Sequence, residues 1–139
     1  RHPRWMRFRF HNSYWYGRQR KNLYRVQIKL GLKTIETIGL YDTGNCLYEP
    51  IRRKPVSIIG KELAVRLFEG EKEWGTRFRL IPYSSIGVEN GLLRGFVADE
   101  LIVFEGRYFF QTTYPVLAVA KQPFGKTDGY EIILHPNMV

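Results

Sequence analysis

The residues best suited to chemistry in this 139-residue chain form one short run, Asp42-Thr43-Gly44-Asn45. Ile38-Gly39-Leu40-Tyr41 precedes it as an apolar strand. The aspartate therefore stands at a strand end, and Gly44-Asn45 permits the sharp turn that would hold its carboxylate there. Two readings are open at this level. Asp42 is either an acid fixed for catalysis or the first residue of an Asx-turn between strands, since Asp, Thr, Gly and Asn are all turn residues. The other candidates stand alone. Cys46 is the single cysteine, which excludes an intrachain disulfide and a cysteine-based zinc cluster and points to a reducing compartment. His135, beside a proline, reads as a structural histidine rather than a catalyst. Neither a metal nor a cofactor is expected.

The elements that must position Asp42 are short strands. Val26, Ile28 and Leu30 alternate with Gln27 and Lys29, and Thr34 to Leu40 is β-branched and apolar, which predicts a hairpin turning near Gly31 to Lys33. Pro55 to Ile59 follows as another strand. Lys61 to Glu69 then places Leu63, Ala64, Leu67 and Phe68 on one helical face, with Gly70 as the stop. Further strands are read at 77–81, 91–96, 101–104, 108–112, 115–120 and 130–134. So many strands predict a mainly β fold, a small closed or folded-over barrel with one or two short helices. The length suits one domain that buries about two thirds of its unfolded surface. The longest apolar stretches, such as Tyr114 to Ala120, fall far short of the ~20 residues of a membrane helix. The chain begins on Arg1 and shows no signal-peptide pattern, and it reads as a piece of a longer protein.

The formal net charge is +9. Residues 1–35 contain ten basic residues and no acidic one, so the remainder carries 12 basic against 13 acidic, a net of −1. Seven aromatics, from Trp5 to Tyr24, are interleaved with the leading charge. That mixture suits stacking with phosphate contact, an anionic membrane surface, or a solvated tail.

Several blocks, in order and at similar spacing, are similar to one known family. They are Asp42-Thr43-Gly44-Asn45, Pro50, Lys54-Pro55-Val56, Ile81-Pro82-Tyr83-Ser84-Ser85-Ile86-Gly87, Glu89-Asn90-Gly91-Leu92-Leu93, Gly95-Phe96 and Ile133-Leu134-His135-Pro136. From about Leu23 onward the chain resembles the protease domain of the sporulation sigma-E factor processing peptidases of spore-forming bacteria. The resemblance implies a membrane-bound aspartic endopeptidase whose preceding half spans the membrane, followed by a domain on the cytoplasmic, mother-cell side with the architecture of a retroviral protease. Residues 1–22 would then be a basic, aromatic juxtamembrane segment and 23–139 the protease domain. The implied substrate is the sigma-E precursor, which loses its N-terminal propeptide, and the implied activator is a secreted sporulation signalling protein. Cys46 and Ile51-Arg52-Arg53 depart from the family's usual residues at the outer rim of the site.

An aspartic peptidase holds one water between two carboxyl groups, one ionised and one protonated. The chain has no second Asp-Thr-Gly or Asp-Ser-Gly; Thr127-Asp128-Gly129 has the wrong order and Asp99-Glu100 lacks the glycine. The second acid must then come from a two-fold homodimer, which brings Asp42 beside its own copy. At ~3 Å two carboxylates repel by about 5 kcal/mol at an effective dielectric of 20, enough to keep one protonated near neutral pH. Asp42 is the expected catalyst, with Thr43, Gly44 and Asn45 in support. Tyr83, Ser84, Ser85, Ile86 and Gly87 are the expected substrate-binding residues, in a covering hairpin between Leu80 and Phe96 where Asn90-Gly91 favours a turn. Two further readings stand beside this one. The first is a catalytically silent module of the same fold that binds a sigma factor at the membrane. The second is a nucleic-acid-binding β-barrel, which the near-neutral body of the chain disfavours, so no nucleic acid is expected.

Overall fold

The computed structural model describes residues 22–71, 75–85 and 88–138, with the backbone alone for 84, 85 and 88–90. The basic, aromatic segment 1–22 lies outside the described residues except for Asn22.

Alternation along the leading hairpin becomes a buried face. In β1 (Leu23–Leu30), Tyr24, Val26, Ile28 and Leu30 point inward, and β2 (Lys33–Tyr41) pairs with it antiparallel from Leu30↔Lys33 to Leu23↔Leu40. Gly31, at φ 62°, makes the turn. Eight more strands follow: β3 (Tyr48–Glu49), β4 (Lys54–Ile59), β5 (Phe78–Ser85), β6 (Val88–Val97), β7 (Glu100–Glu105), β8 (Tyr108–Thr113), β9 (Val116–Val119) and β10 (Ile132–Leu134). They form one sheet in the order β5-β6-β9-β4-β10-β2-β1-β7-β8, with β3 paired to β4. Two pairings are parallel, β10 with β2 and β4 with β9. The fold is mainly β, as expected. The sheet curls over its core, and among the described residues it ends at β5 on one side and β8 on the other.

The helix is the one its periodicity predicts. In α1 (Lys61–Phe68), Leu63 and Leu67 are fully buried. Its last carbonyls, which have no partner within a helix, accept hydrogen bonds from Lys33 Nζ at Arg66 O (2.9 Å) and Glu69 O (2.7 Å). A short 3-10 turn spans Lys126–Asp128.

Two apolar clusters fill the fold. The larger joins β1, β2, β7 and α1, with Phe68 edge-on to Phe96 at 4.6 Å. The smaller contains Val56, Ile81, Leu93, Val116 and Ala118, with Leu47, Tyr83 and Val97 against it. A strand interior gains little from glycine unless another chain comes close, and Gly39 in β2 is such a place. A Cβ there would lie 2.9 Å from Val26 Cγ2 and 3.0 Å from Ile132 and Leu134 side chains. That vacancy lets β10 settle against the end of β2 that leads to Asp42.

Partly buried ion pairs fasten the loops to this sheet. Arg66 donates to both oxygens of Glu131 at 2.8 and 3.3 Å, and Thr37 Oγ1 donates to one of them. The Arg66 guanidinium holds the Glu131 carboxyl below the usual range, against the opposing effect of burial. Arg77 joins Asp99 and Glu71, while Asp99 accepts the Gly31 N–H at 2.7 Å, so the β1–β2 turn is tied to the β6–β7 junction. Among the described residues no helix is long and apolar enough to cross a membrane, which says nothing of strands.

Candidate active site

Asp42 follows the last residue of β2, at the point where β10 lies between β2 and β4. The parallel register Leu134↔Tyr41 carries the two chains forward together, and the Asp42 N–H reaches Leu134 O at 3.4 Å. The turn then closes on the aspartate itself. Gly44 N–H donates to Asp42 Oδ1 at 2.8 Å and Asn45 N–H to Asp42 O at 3.1 Å. This is an Asx-turn, and it also orients the carboxylate: one oxygen is held by a backbone N–H and the other has no partner among the described residues. The two sequence readings, turn residue and poised acid, are therefore compatible in geometry.

Asn45 is buried although its neighbours Gly44 and Cys46 are exposed. Its Nδ2 donates to Val56 O at 3.0 Å and its Oδ1 accepts the Leu47 N–H at 3.1 Å. Val56 N–H in turn donates to Leu47 O at 3.0 Å. The asparagine thus replaces strand pairing where the loop leaves the sheet, which satisfies backbone groups that burial would otherwise penalise. Thr43 is exposed and its hydroxyl has no partner among the described residues.

Beneath the loop lies a platform that the sequence did not reveal. His135 is 1% exposed. Its backbone N–H donates to Ser57 Oγ at 2.9 Å, its Nδ1 accepts the Asn137 N–H at 2.9 Å, and the Tyr48 ring meets it edge-on at 4.7 Å. Asn137 Nδ2 also donates to the Tyr48 hydroxyl at 2.9 Å. An Nδ1 that accepts requires the proton on Nε2, and Nε2 is buried without a partner among the described residues. Burial pushes the imidazole down from 6.5 to about 4, so it is neutral near pH 7. Beside it Tyr41 is pushed up to about 12 by burial.

The expected covering hairpin is β5–β6. Its register runs from Phe78↔Phe96 to Tyr83↔Gly91 and, past an irregularity, to Ser85↔Val88. The chain therefore reverses between Ser85 and Val88, and Asn90-Gly91, expected as the turn, lies inside β6. Gly91 has a different use: a Cβ there would stand 2.4 Å from the Tyr83 ring, so its absence lets that ring lie over the opposite strand. Lys121 Nζ sits 5.4 Å from the ring centroid. Tyr83 and Leu47 pack on the same small apolar cluster, which couples the hairpin near its reversal end to the segment just after the Asp42 turn. Of the other expected substrate-binding residues, Ser84 and Ser85 end β5, and Ile86 and Gly87 lie outside the described residues. Among the described residues no group of three or more His, Cys, Asp or Glu could hold a metal ion.

Comparison with known proteins extends beyond the short motif. A Bacillus thuringiensis subsp. kurstaki protein, named as a candidate sporulation sigma factor-processing peptidase, is 26% identical over 133 residues, covering 83% of each chain. The sporulation sigma-E factor-processing peptidases of Priestia megaterium and Bacillus subtilis are 27% and 23% identical, over 82% of this chain in both cases. The chain spans 43% of the length of each of those two relatives. No solved structure matches it. The family model described as sporulation factor SpoIIGA matches residues 5–138, and the chain accordingly belongs to this family of sporulation peptidases.

Proposed function

We propose that this chain is the catalytic part of an aspartic endopeptidase that activates the sigma-E precursor by removing its N-terminal propeptide. The observation that carries the reading is the Asp42 carboxylate, held at a strand end by the Gly44 N–H, its second oxygen without a partner among the described residues. The named activity of the relatives supplies the substrate class. One acid cannot both accept the proton of water and protonate the substrate, so two copies of the chain contribute one Asp42 each across a two-fold axis. Thr43, exposed and without a hydroxyl partner among the described residues, is suited to brace the paired loop. The pair shares one proton and titrates as a unit. The negatively charged member accepts a proton from water as the water oxygen bonds to the peptide carbonyl carbon, and the neutral member gives its proton to the carbonyl oxygen. The first member then passes its new proton to the amide nitrogen as the C–N bond breaks, while the second takes a proton back from the tetrahedral hydroxyl, which releases an amine and a carboxylic acid and restores the shared proton.

The hairpin of Tyr83 to Gly87 closes over the substrate and excludes solvent. Two of the relatives extend well beyond the matched part, which leaves room for the preceding membrane-spanning part that the family resemblance implies, with this domain proposed on the cytoplasmic, mother-cell side. Residues 1–22 then lie next to the membrane, and a secreted sporulation signal acts through the assembled enzyme.

The test is co-expression of the membrane-anchored enzyme with the precursor. Asp42→Asn is expected to abolish conversion, about a thousandfold or more, while the purified domain keeps the parent's thermal midpoint. Conversion by the Asn variant at the parent's rate would remove the aspartic mechanism. A parent that binds precursor yet leaves it uncut at every pH would instead favour the silent sigma-binding module.

A further inference from the structure

The turn between β3 and β4 is built to present charge. Glu49 is 5% exposed, and its two carboxylate oxygens accept the N–H groups of Ile51 (3.1 Å) and Arg52 (2.8 Å). A buried carboxylate that binds the turn's own backbone fixes the shape of a segment that would otherwise be soft. Within that frame Ile51 stands 85% exposed, and Arg52 and Arg53 are exposed beside it. Arg53 is held at φ 59°, a left-handed conformation that glycine adopts freely and an arginine adopts at an energetic cost. The neighbouring Lys54 is engaged differently: its Nζ donates to Tyr114 O at 2.9 Å. Neither Arg52 nor Arg53 has a side-chain partner among the described residues, whereas Arg25, Arg66 and Arg77 are each matched to carboxylates. The result is a rigid turn with two free guanidinium groups around an exposed apolar tip.

Its position points to what it meets. The turn is the distal end of the loop that starts at Asp42. The β3 strand at its base also neighbours β5 of the covering hairpin, and Leu47 and Tyr83 pack against one small apolar cluster. The turn thus belongs to the same continuous segment that leaves Asp42 and touches β5 through β3. We propose that the Pro50–Arg53 turn reads the substrate, with Arg52 and Arg53 pairing with acidic side chains that flank the scissile bond and Ile51 packing on an apolar neighbour. This specificity assignment rests on the peptidase reading above. Guanidinium groups favour carboxylates through forked, two-point hydrogen bonds, and a preorganised turn loses little freedom when it binds.

The experiment separates binding from cleavage. Two labelled peptides share a Leu-Phe centre, one flanked by Glu and the other by Lys, and their binding to the Asp42→Asn chain is followed by fluorescence anisotropy. Two exposed ion pairs of ordinary strength give about a tenfold preference for the acidic peptide, weakening with added salt. Arg52→Glu with Arg53→Glu is expected to reverse that preference. Arg53→Gly, which relieves the left-handed residue, serves as a folded variant that keeps Arg52 and loses only part of it.

Equal binding of both peptides by the parent, or a preference that survives charge reversal, overturns the assignment. So does binding to phosphatidylserine vesicles that charge reversal abolishes when no peptide preference exists, since the turn would then face a lipid surface. Because anisotropy is read on a chain lacking Asp42, loss of the aspartic mechanism and loss of this specificity give different results.

Discussion

At the scale of single residues, the chemistry divides between what is adjacent in sequence and what is not. Asp42, Thr43 and Gly44 could be singled out because their turn is local: the Gly44 N–H that orients the carboxylate is two residues away. Asn45 was grouped with them by adjacency, but its anchoring partner, Val56 O, lies eleven residues on and no local pattern announces it. His135 was read as structural, and its partners Ser57, Asn137 and Tyr48 come together only when β10 inserts between β2 and β4. Its burial has a consequence for acid stability. The folded-state value is depressed to about 4 from 6.5, so between those values the unfolded chain binds the proton that the folded chain refuses. Stability is complete above pH ~6.5 and falls as pH drops through this window, by on the order of 3 kcal/mol if the shift is fully expressed. Glu131 acts lower: its carboxyl is also depressed, so its contribution is lost only as pH falls below its ordinary value of 4.5. Urea denaturation of His135→Phe at pH 7 and pH 5 should therefore show a smaller difference than the parent shows. An equal difference in both proteins would mean that the imidazole is not the responsible group.

At the scale of elements, alternation and helical spacing located β1, β2 and α1 because each has one face on the core and one in solvent. The register Leu30↔Lys33 and the burial of Leu63 and Leu67 follow directly from those patterns. The covering hairpin was legible as a pair of strands but not in its reversal point. Asn90-Gly91 has turn chemistry, yet Gly91 is needed within β6 because it faces an aromatic ring on β5. A local preference yielded to a cross-strand contact. The same contact makes the hairpin testable as a unit. Gly91→Ala must push the Tyr83 ring aside and loosen its packing on the small cluster with Leu47, whereas in a Tyr83→Leu background the added methyl meets less obstruction. A double-mutant cycle on unfolding free energy is expected to give a coupling of about 1 kcal/mol. The Tyr83→Leu protein should tolerate the alanine better than the parent does. Strict additivity would show that the ring does not depend on the missing side chain at position 91.

For the whole molecule, one chain supplies a mainly β half-barrel whose sheet, among the described residues, ends at β5 and β8, with a single Asp-Thr-Gly turn. The proposed two-acid mechanism drew on the sequence alone, because peptide hydrolysis by carboxyl groups requires two protonation states at once and the chain carries one Asp-Thr-Gly. A surface for the proposed pairing was not readable, since a two-fold contact is made by residues whose partners lie on another chain. The proposed shared site nevertheless has a quantitative signature. Well below the dissociation constant of the dimer, activity should rise more steeply than linearly with enzyme concentration; a linear rise would indicate a catalyst complete in one copy. At concentrations where dimers dominate, adding an equal amount of the Asp42→Asn chain to a fixed amount of parent redistributes protomers among three kinds of dimer. Only parent–parent pairs hold two acids, and their number falls to about half if subunits exchange freely and pair without preference. Conversion of the precursor should fall by the same factor. A Thr43→Ala change placed in the added Asn chain should weaken this interference if that hydroxyl braces the pair, and undiminished conversion on adding the unmodified Asn chain, after subunit exchange is verified by mass, would place the complete catalytic apparatus within one protomer.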